Sequence, residues 1–279
     1  MEIVNRISRM KEIIKDLKHD QKTIGFVPTM GCLHNGHLSL IKEARRMSDT
    51  IVVSIFVNPK QFSPGEDYEK YPRNITSDAD LLLKEDVDYI LYPSTDEMYP
   101  EHFKTIVEVT ELSSRLCGKS RPGHFRGVTT VIIKLIHIVQ PQFAFFGQKD
   151  AQQTAIIKRM VKDLNIEVEI IVLPIVRDVD GLALSSRNIY LNPEERQAAV
   201  ILHTSLQSAH KLIKHGEKKA AKIIQEITKI IESEPRAKID YVQIVDLENL
   251  EPVKTVDKNV LLALAVFIGN TRLIDNILI

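Results

Sequence analysis

The chain has 279 residues, 44% hydrophobic and 27% charged, which leaves room for about two folded units with cores of their own and excludes a disordered polypeptide. Lys plus Arg and Asp plus Glu are 37 each, so the whole molecule exerts no net electrostatic pull on nucleic acid or an acidic membrane surface, and neither is expected as a partner. No run approaches about 18 apolar residues, so no membrane span is expected.

In chain order, residues 3–18 predict a surface helix with Ile3, Ile7, Met10, Ile14 and Leu17 on one face. Ile24-Gly25-Phe26-Val27 opens as a short strand, breaks at Pro28 and loops through Gly31. It then turns into an amphipathic helix that begins near Gly36 or His37 and runs to about Ser48, with Leu38, Ile41 and Ala44 facing inward. Residues 51–57 are a near-continuous apolar run, the pattern of a parallel strand buried on both faces, and end in Asn58-Pro59-Lys60-Gln61-Phe62. A polar stretch over 63–73, with Pro64, Gly65 and Pro72, reads as a mobile loop. A helix over 75–86, a strand over 87–92 and an alternating strand over 105–109 follow. Residues 116–127 combine Gly118, Pro122, Gly123 and Gly127 with Lys119, Arg121, His124 and Arg126, and read equally as a loop ordering over phosphates or as a solvated surface loop. A helix over 128–139, a strand over 143–146, the loop Gly147-Gln148-Lys149-Asp150, a helix to about Asn165 and a strand over 166–173 complete the pattern.

Strand and helix therefore alternate to about residue 173, the signature of an α/β fold with a doubly wound, Rossmann-like parallel sheet. Right-handed crossovers put the strand-end loops on one edge, so His34/His37, Asn58/Gln61 and Lys149/Asp150 should converge on one cleft. Beyond it, Asp180-Gly181 marks a turn and Leu184-Ser185-Ser186-Arg187-Asn188 is either a compact phosphate-gripping set or a polar loop. Asn192-Pro193-Glu194-Glu195 starts a helix that runs to about His215. A further helix runs to about Glu234, and strands are expected over 239–245 and 260–268. The division predicted is a domain over 1–175 and a smaller α+β C-terminal domain over 176–279, with closure able to carry Ser185, Ser186 and Arg187 onto a ligand.

His34-Asn35-Gly36-His37 lies between the carboxyl end of a strand and the amino end of a helix, where open α/β sheets bind ligands and where an anion is favoured. Gly36 admits a phosphate close to the backbone, and imidazole N–H groups can donate to its oxygens as charge builds. Cys32 and Cys117 form no CxxC pair and no His/Cys cluster, which points to free thiols rather than zinc. With Glu2, Arg6, Arg9, Lys11 and Glu12 in place of an apolar signal core, the expected location is the reducing cytoplasm.

Several segments together resemble the pantothenate synthetase (pantoate–β-alanine ligase) family. These are Pro28-Thr29-Met30-Gly31-x-Leu33-His34-x-Gly36-His37, Phe56-Val57-Asn58-Pro59-x-Gln61-Phe62, Tyr71-Pro72-Arg73, Arg121-Pro122-Gly123-His124-Phe125-x-Gly127, Phe146-Gly147-x-Lys149-Asp150-x-x-Gln153 and Leu184-Ser185-Ser186-Arg187-Asn188. Cys32, Asn35, Gln148 and Leu184 stand where that family more often has a small residue, an acidic residue, Glu and Met. The tetrapeptide alone marks only the wider HxGH nucleotidyltransferase superfamily, and another adenylyltransferase of that kind is the alternative reading.

The resemblance implies an ATP-dependent ligase that joins pantoate and β-alanine through pantoyl adenylate, with Mg2+ accompanying the ATP and no metal ligand assigned to the protein. It implies catalytic roles for His34, His37, Lys149 and Arg187. It places ATP on Met30, Gly31, Cys32, Leu33, His34, Asn35, Gly36 and His37, on Gly147, Gln148, Lys149 and Asp150, and on Val176, Leu184, Ser185, Ser186 and Arg187. It places pantoate and β-alanine on Gln61 and Gln153, with Asn58 in support, and it implies a homodimer.

Overall fold

All six residues of β3 (Thr50–Ile55) are buried, so this strand must be covered on both faces. The computed structural model describes residues 1–279. Around β3 stand β1 (Glu2–Val4), β2 (Ile24–Thr29), β4 (Tyr89–Leu91), β5 (Phe143–Gly147) and β6 (Glu169–Leu173), in one six-stranded sheet of order β1-β4-β3-β2-β5-β6. Every pair in it is parallel. The helices in chain order are α1 (Ile7–His19), α2 (Asn35–Met47), α3 (Ile75–Lys84), α4 (Thr95–Met98), α5 (Cys117–Ser120), α6 (His124–Val139) and α7 (Ala151–Asp163). One face of the sheet packs on α1, α6 and α7 through a cluster of 32 buried residues that includes Met10, Ile132, Ile136 and Ile156. The other packs on α2 and α3 through Leu40, Ile41, Ala44 and Leu82.

The remaining chain forms α8 (Pro193–Ala198), α9 (Ile201–Lys214), α10 (Ala220–Glu232) and the strands β7 (Ala237–Asp246), β8 (Val260–Ile268) and β9 (Thr271–Leu278), an antiparallel sheet of order β7-β8-β9. The alternation along β8 joins the two units. Leu262, Leu264, Val266 and Ile268 face the helices of their own unit, while Leu261 and Ala263 point the other way and enter the core beneath the parallel sheet.

The parallel sheet is as the periodicity predicts, and five local expectations are corrected. The predicted helix over 3–18 is a strand followed by a helix, because Val4 pairs into the sheet beside β4 while Ile3, in phase with the helical face, is an edge-strand residue. The break expected at Pro28 is not one: β2 runs to Thr29 by pairing with β3 alone. The segment 105–109 forms no strand, since its extended backbone is held on α6 by Thr129 and Thr130, whose hydroxyls bond the carbonyl and N–H of Val107. The loop over 116–127 is mostly helical, with α5 inside it and α6 starting at His124. The single helix from Pro193 is two, parted at Ala199–Val200 by i−3 bonds from Val200 and Leu202. The strand β9 follows the turn after β8 and has no counterpart among the predicted elements.

Twelve of the sixteen residues of α6 are buried, so its N-terminal turn must pass close to the loop after β3. Gly127 allows this, because a Cβ there would lie 2.1 Å from the Lys60 carbonyl oxygen. Gly127→Ala should therefore cost about 1–3 kcal/mol of stability, read as a lower urea midpoint, whereas an unchanged midpoint would show that α6 has slack at this contact.

Candidate active site

The parallel sheet opens where β2 and β5 part. Only Gly25 and Phe26 pair with β5, so beyond them the two strands diverge. Ile24 turns its carbonyl and N–H toward the β5 side, and by alternation the nitrogen of Pro28 faces the same way. Its missing donor therefore falls where no ladder remains. The opening is a cleft of about 210 Å³ at the carboxyl edge of the sheet.

The loop after β2 is held from below. The carboxylate of Asp78 on α3, 3% exposed, accepts the backbone N–H of Cys32 at 2.9 Å and of Leu33 at 2.8 Å. Gly31 and Cys32 both take positive φ, +82° and 51°, which aims the following residues at the cleft. His34 caps α2: its Nδ1 accepts from the Gly36 N–H at 3.1 Å, while His37 Nδ1 accepts from the His34 N–H at 3.3 Å. A nitrogen that accepts carries no proton, so both rings keep theirs on Nε2, the atom left to face a ligand. The rings lie 4.1 Å apart. Burial, and then the nearby Lys149 charge, bring the His34 pKa down to about 4. Burial, then His34 and Lys149, hold His37 well below its ordinary value. At neutral pH the pair are uncharged donors.

On the β3 side, Gln61 is 9% exposed and Asn58 1%. Asn58 Nδ2 donates to Gln61 Oε1 at 3.2 Å, and Gln61 Nε2 points at the Met30 sulfur, 2.7 Å away. The backbone of Gln61 is fixed as well: its carbonyl accepts from His124 Nδ1 at 2.7 Å and from Arg121 at 3.3 Å. Arg121 makes a two-pronged pair with Glu66, both contacts at 2.6 Å. Of the two readings of the basic segment, Arg121 and His124 thus fit neither: they are half-buried and tie the 63–73 loop and the Gln61 turn to α6.

On the β5 side, Lys149 lies 3.6 Å from the Asp150 carboxylate. Asn276 on β9 donates to the carbonyls of Gln148 and Lys149 at 3.0 Å, and Gln148 Nε2 donates to Asn276 Oδ1 at 3.2 Å. Asp275 beside it pairs with Arg177 through contacts of 2.6 and 2.8 Å, anchoring the turn that leads into Ser185 and Arg187. Ser186 donates to the Cys32 carbonyl at 3.1 Å, so this segment already sits on the His34 loop. Arg187 grips Asp67 with two hydrogen bonds of 2.9 and 2.8 Å. Burial opposes charge on both partners, yet these bonds hold the Asp67 carboxyl below its ordinary pKa and the Arg187 guanidinium above its own.

Of the residues singled out from sequence, Met30, His34, Gly36, His37, Gln61, Gly147, Lys149, Asp150, Gln153, Val176, Leu184, Ser185, Ser186 and Arg187 line this one cleft. Gly31, Cys32, Leu33, Asn35, Asn58 and Gln148 do not line it. The N–H groups of Cys32 and Leu33 are taken by Asp78, and Gln148 is turned toward β9. Sequence reasoning missed Asp78, Asp67 and Tyr99. For Asp78 a signal exists, a carboxylate four residues before the buried Leu82 on the same helix face. The partners of Asp67 and Tyr99 are too distant in sequence to leave one.

A parallel sheet that parts at its switch point, with paired imidazoles at a helix N-terminus facing a lysine and an arginine, defines the class: an α/β enzyme of the HxGH nucleotidyl-transfer kind. The family model described as pantoate-beta-alanine ligase matches residues 2–278. The pantothenate synthetase of Thermotoga petrophila is 57% identical over 276 residues, 99% of each chain. Among solved structures, pantothenate synthetase from Thermus thermophilus superposes with a TM-score of 0.95 at 41% identity, covering 99% of both chains. Pantoate-beta-alanine ligase from Francisella tularensis, complexed with beta-gamma ATP and beta-alanine, gives 0.81 at 37% identity, covering 100% of this chain and 97% of that one. The chain belongs to the pantoate–β-alanine ligase family.

Because the folded protein keeps His34 neutral down to about pH 4 while an unfolded chain protonates it near 6.5, the unfolded state binds the extra proton between those values and stability falls as pH falls through that window. His124, brought to about 4 by burial and then by Arg121, adds to the same slope. Substituting His34→Asn preserves a capping side chain and should flatten the slope between those pH values by up to about 1.4 kcal/mol per pH unit, measured by urea unfolding across the range. An unaltered slope would mean that His34 titrates normally in the folded state.

Proposed function

We propose that this ligase joins pantoate to β-alanine within the β2–β5 cleft in two steps. A pantoate carboxylate oxygen attacks the α-phosphorus of ATP, the bond to the bridging oxygen breaks, and pyrophosphate leaves. The β-alanine amine then attacks the acyl carbon of pantoyl adenylate, loses a proton, and AMP departs as pantothenate forms. The observation that carries this reading is one cleft lined by two chemically different sets of side chains, the cations Lys149 and Arg187 and the neutral amides Gln61 and Gln153. The first suits a triphosphate. The second binds a hydroxy acid by hydrogen bonds without neutralising the carboxylate that must act as nucleophile. The Francisella tularensis relative, complexed with beta-gamma ATP and beta-alanine, supports ATP and β-alanine as ligands of the cleft.

In this reading His34 and His37 donate from Nε2 to phosphate oxygens as charge accumulates on them, and Lys149 follows the departing pyrophosphate. Most of the acceleration then comes from positioning and electrostatics. Gly147 and Val176 offer backbone to adenosine. Arg187 exchanges the Asp67 carboxylate for phosphate oxygens of similar geometry, and Ser185 and Ser186 close with it. Asp150 is the one carboxylate lining the cleft. It is the side chain that would hold a magnesium ion accompanying ATP, and such an ion would offset the charge of the phosphates.

The same proposal includes the division into a catalytic unit over 1–175 and a lid over 176–279, a homodimer, and a cytoplasmic location consistent with free Cys32 and Cys117. No helix is long and apolar enough to cross a membrane.

The test is pyrophosphate release from Mg-ATP. Pantoate alone should give at most a single-turnover burst, and β-alanine should turn it into sustained AMP formation. The His37→Ala variant should retain its fold and lose the burst. Release that ignores pantoate, or that stops at nucleotidyl transfer with β-alanine present, would contradict the two-step reading.

A further inference from the structure

The mechanism above makes no use of Tyr99. This residue, directly after α4, is 9% exposed, and its hydroxyl donates to Asn58 Oδ1 at 2.8 Å. The ring is seated between Phe56 and Phe103, with centroids 6.1 and 5.1 Å away, and the Lys60 ammonium lies 5.0 Å from its centroid. We propose that Tyr99 is a positioning residue for the hydroxy-acid substrate: acting through Asn58, it holds the Gln61 amide so that only N–H donors face the cleft.

The hydrogen bonds fix which end of each amide is which. Asn58 Oδ1 accepts from Tyr99 and from the Lys60 N–H at 3.2 Å, so this end of the amide is the oxygen. The other end therefore donates, to the Gly127 carbonyl at 3.0 Å and to Gln61 Oε1 at 3.2 Å. With its oxygen engaged, Gln61 presents Nε2, which here meets only the Met30 sulfur, a weak acceptor that a substrate oxygen would displace. Burial raises the pKa of the Tyr99 phenol, so it stays a donor throughout the working range. The direction of every bond is thus set from Tyr99, Lys60 and Gly127 outward to the cleft.

The consequence is chemical selection. A donor-only amide donates to a carboxylate or hydroxyl oxygen and repels an ammonium group, so the Gln61 amide takes the hydroxy acid and turns away the amine of β-alanine. This rests on the reading that Gln61 contacts pantoate.

The test is a double-mutant cycle on the full-length enzyme. Tyr99→Phe keeps the ring contacts and leaves Asn58 Oδ1 bonded to the Lys60 N–H, so the variant folds. It should raise the pantoate KM about 3- to 10-fold, the loss of one hydrogen bond's net worth, with kcat and the ATP KM within about twofold of the parent. Combined with Gln61→Ala, it should add nothing to the pantoate KM of Gln61→Ala alone, because Tyr99 acts through that amide. An unchanged pantoate KM in Tyr99→Phe, additivity in the double variant, or a parallel rise in both KM values overturns the proposal. A Gln61→Ala variant with the parent pantoate KM would instead refute the underlying placement of pantoate.

Discussion

The arrangement depends on one buried carboxylate. Asp78 spans two consecutive amides, Cys32 and Leu33, and so fixes a loop whose preceding residues, Gly31 and Cys32, are both in the left-handed region. A non-glycine residue there is disfavoured by about 1 kcal/mol or more and persists only where its surroundings hold it. Two charge-assisted bonds from a rigid helix do so. Once that corner is set, His34 falls at the N-cap of α2 and His37 one turn in, each accepting a backbone N–H through Nδ1. Helix capping thus has a second effect, since it selects the tautomer that points donors at the ligand.

The electrostatics of the cleft follow from that choice. Two neutral imidazoles can sit 4.1 Å apart where two imidazolium ions would repel. They supply directed donors without adding charge that Lys149 and Arg187 already bring. The cations are not left bare. Asp150 lies beside Lys149 and Asp67 holds Arg187, so in the proposed reaction a ligand phosphate enters by exchanging one anion for another. Desolvation of the guanidinium has already taken place in the fold, which lowers what the ligand must supply.

What was legible in the sequence, and what was not, divides by the range of the forces involved. The apolar run through β3, the capping signature at Asn192 and Glu195, and the strand–loop–helix around His34 are local patterns, and each is realised near its expected place. The misplacements arise where a distant partner decides. Ile3 fits a helical face but lies in a strand because β4 offers an edge. Residues 105–109 alternate like a strand but are claimed by hydroxyls on α6. The residues that steady the site are the least readable. Asp275 and Asn276, on a strand with no counterpart in the predicted elements, hold both the Lys149 loop and the turn before Ser185. The side chains of the cleft were visible in their motifs; the second rank of groups that aims them was not, because no motif spans a contact between residues 41 apart such as Tyr99 and Asn58.

The central claim is that His34 and His37 meet the ligand as neutral rings protonated on Nε2. Two-bond 1H–15N correlation spectra of the imidazoles, with the two rings assigned by single substitutions, read this directly. Between about pH 5 and about pH 8 both should show a protonated Nε2, an unprotonated Nδ1 and no titration. A midpoint near the ordinary histidine value, or a proton on Nδ1 of either ring, would contradict the account.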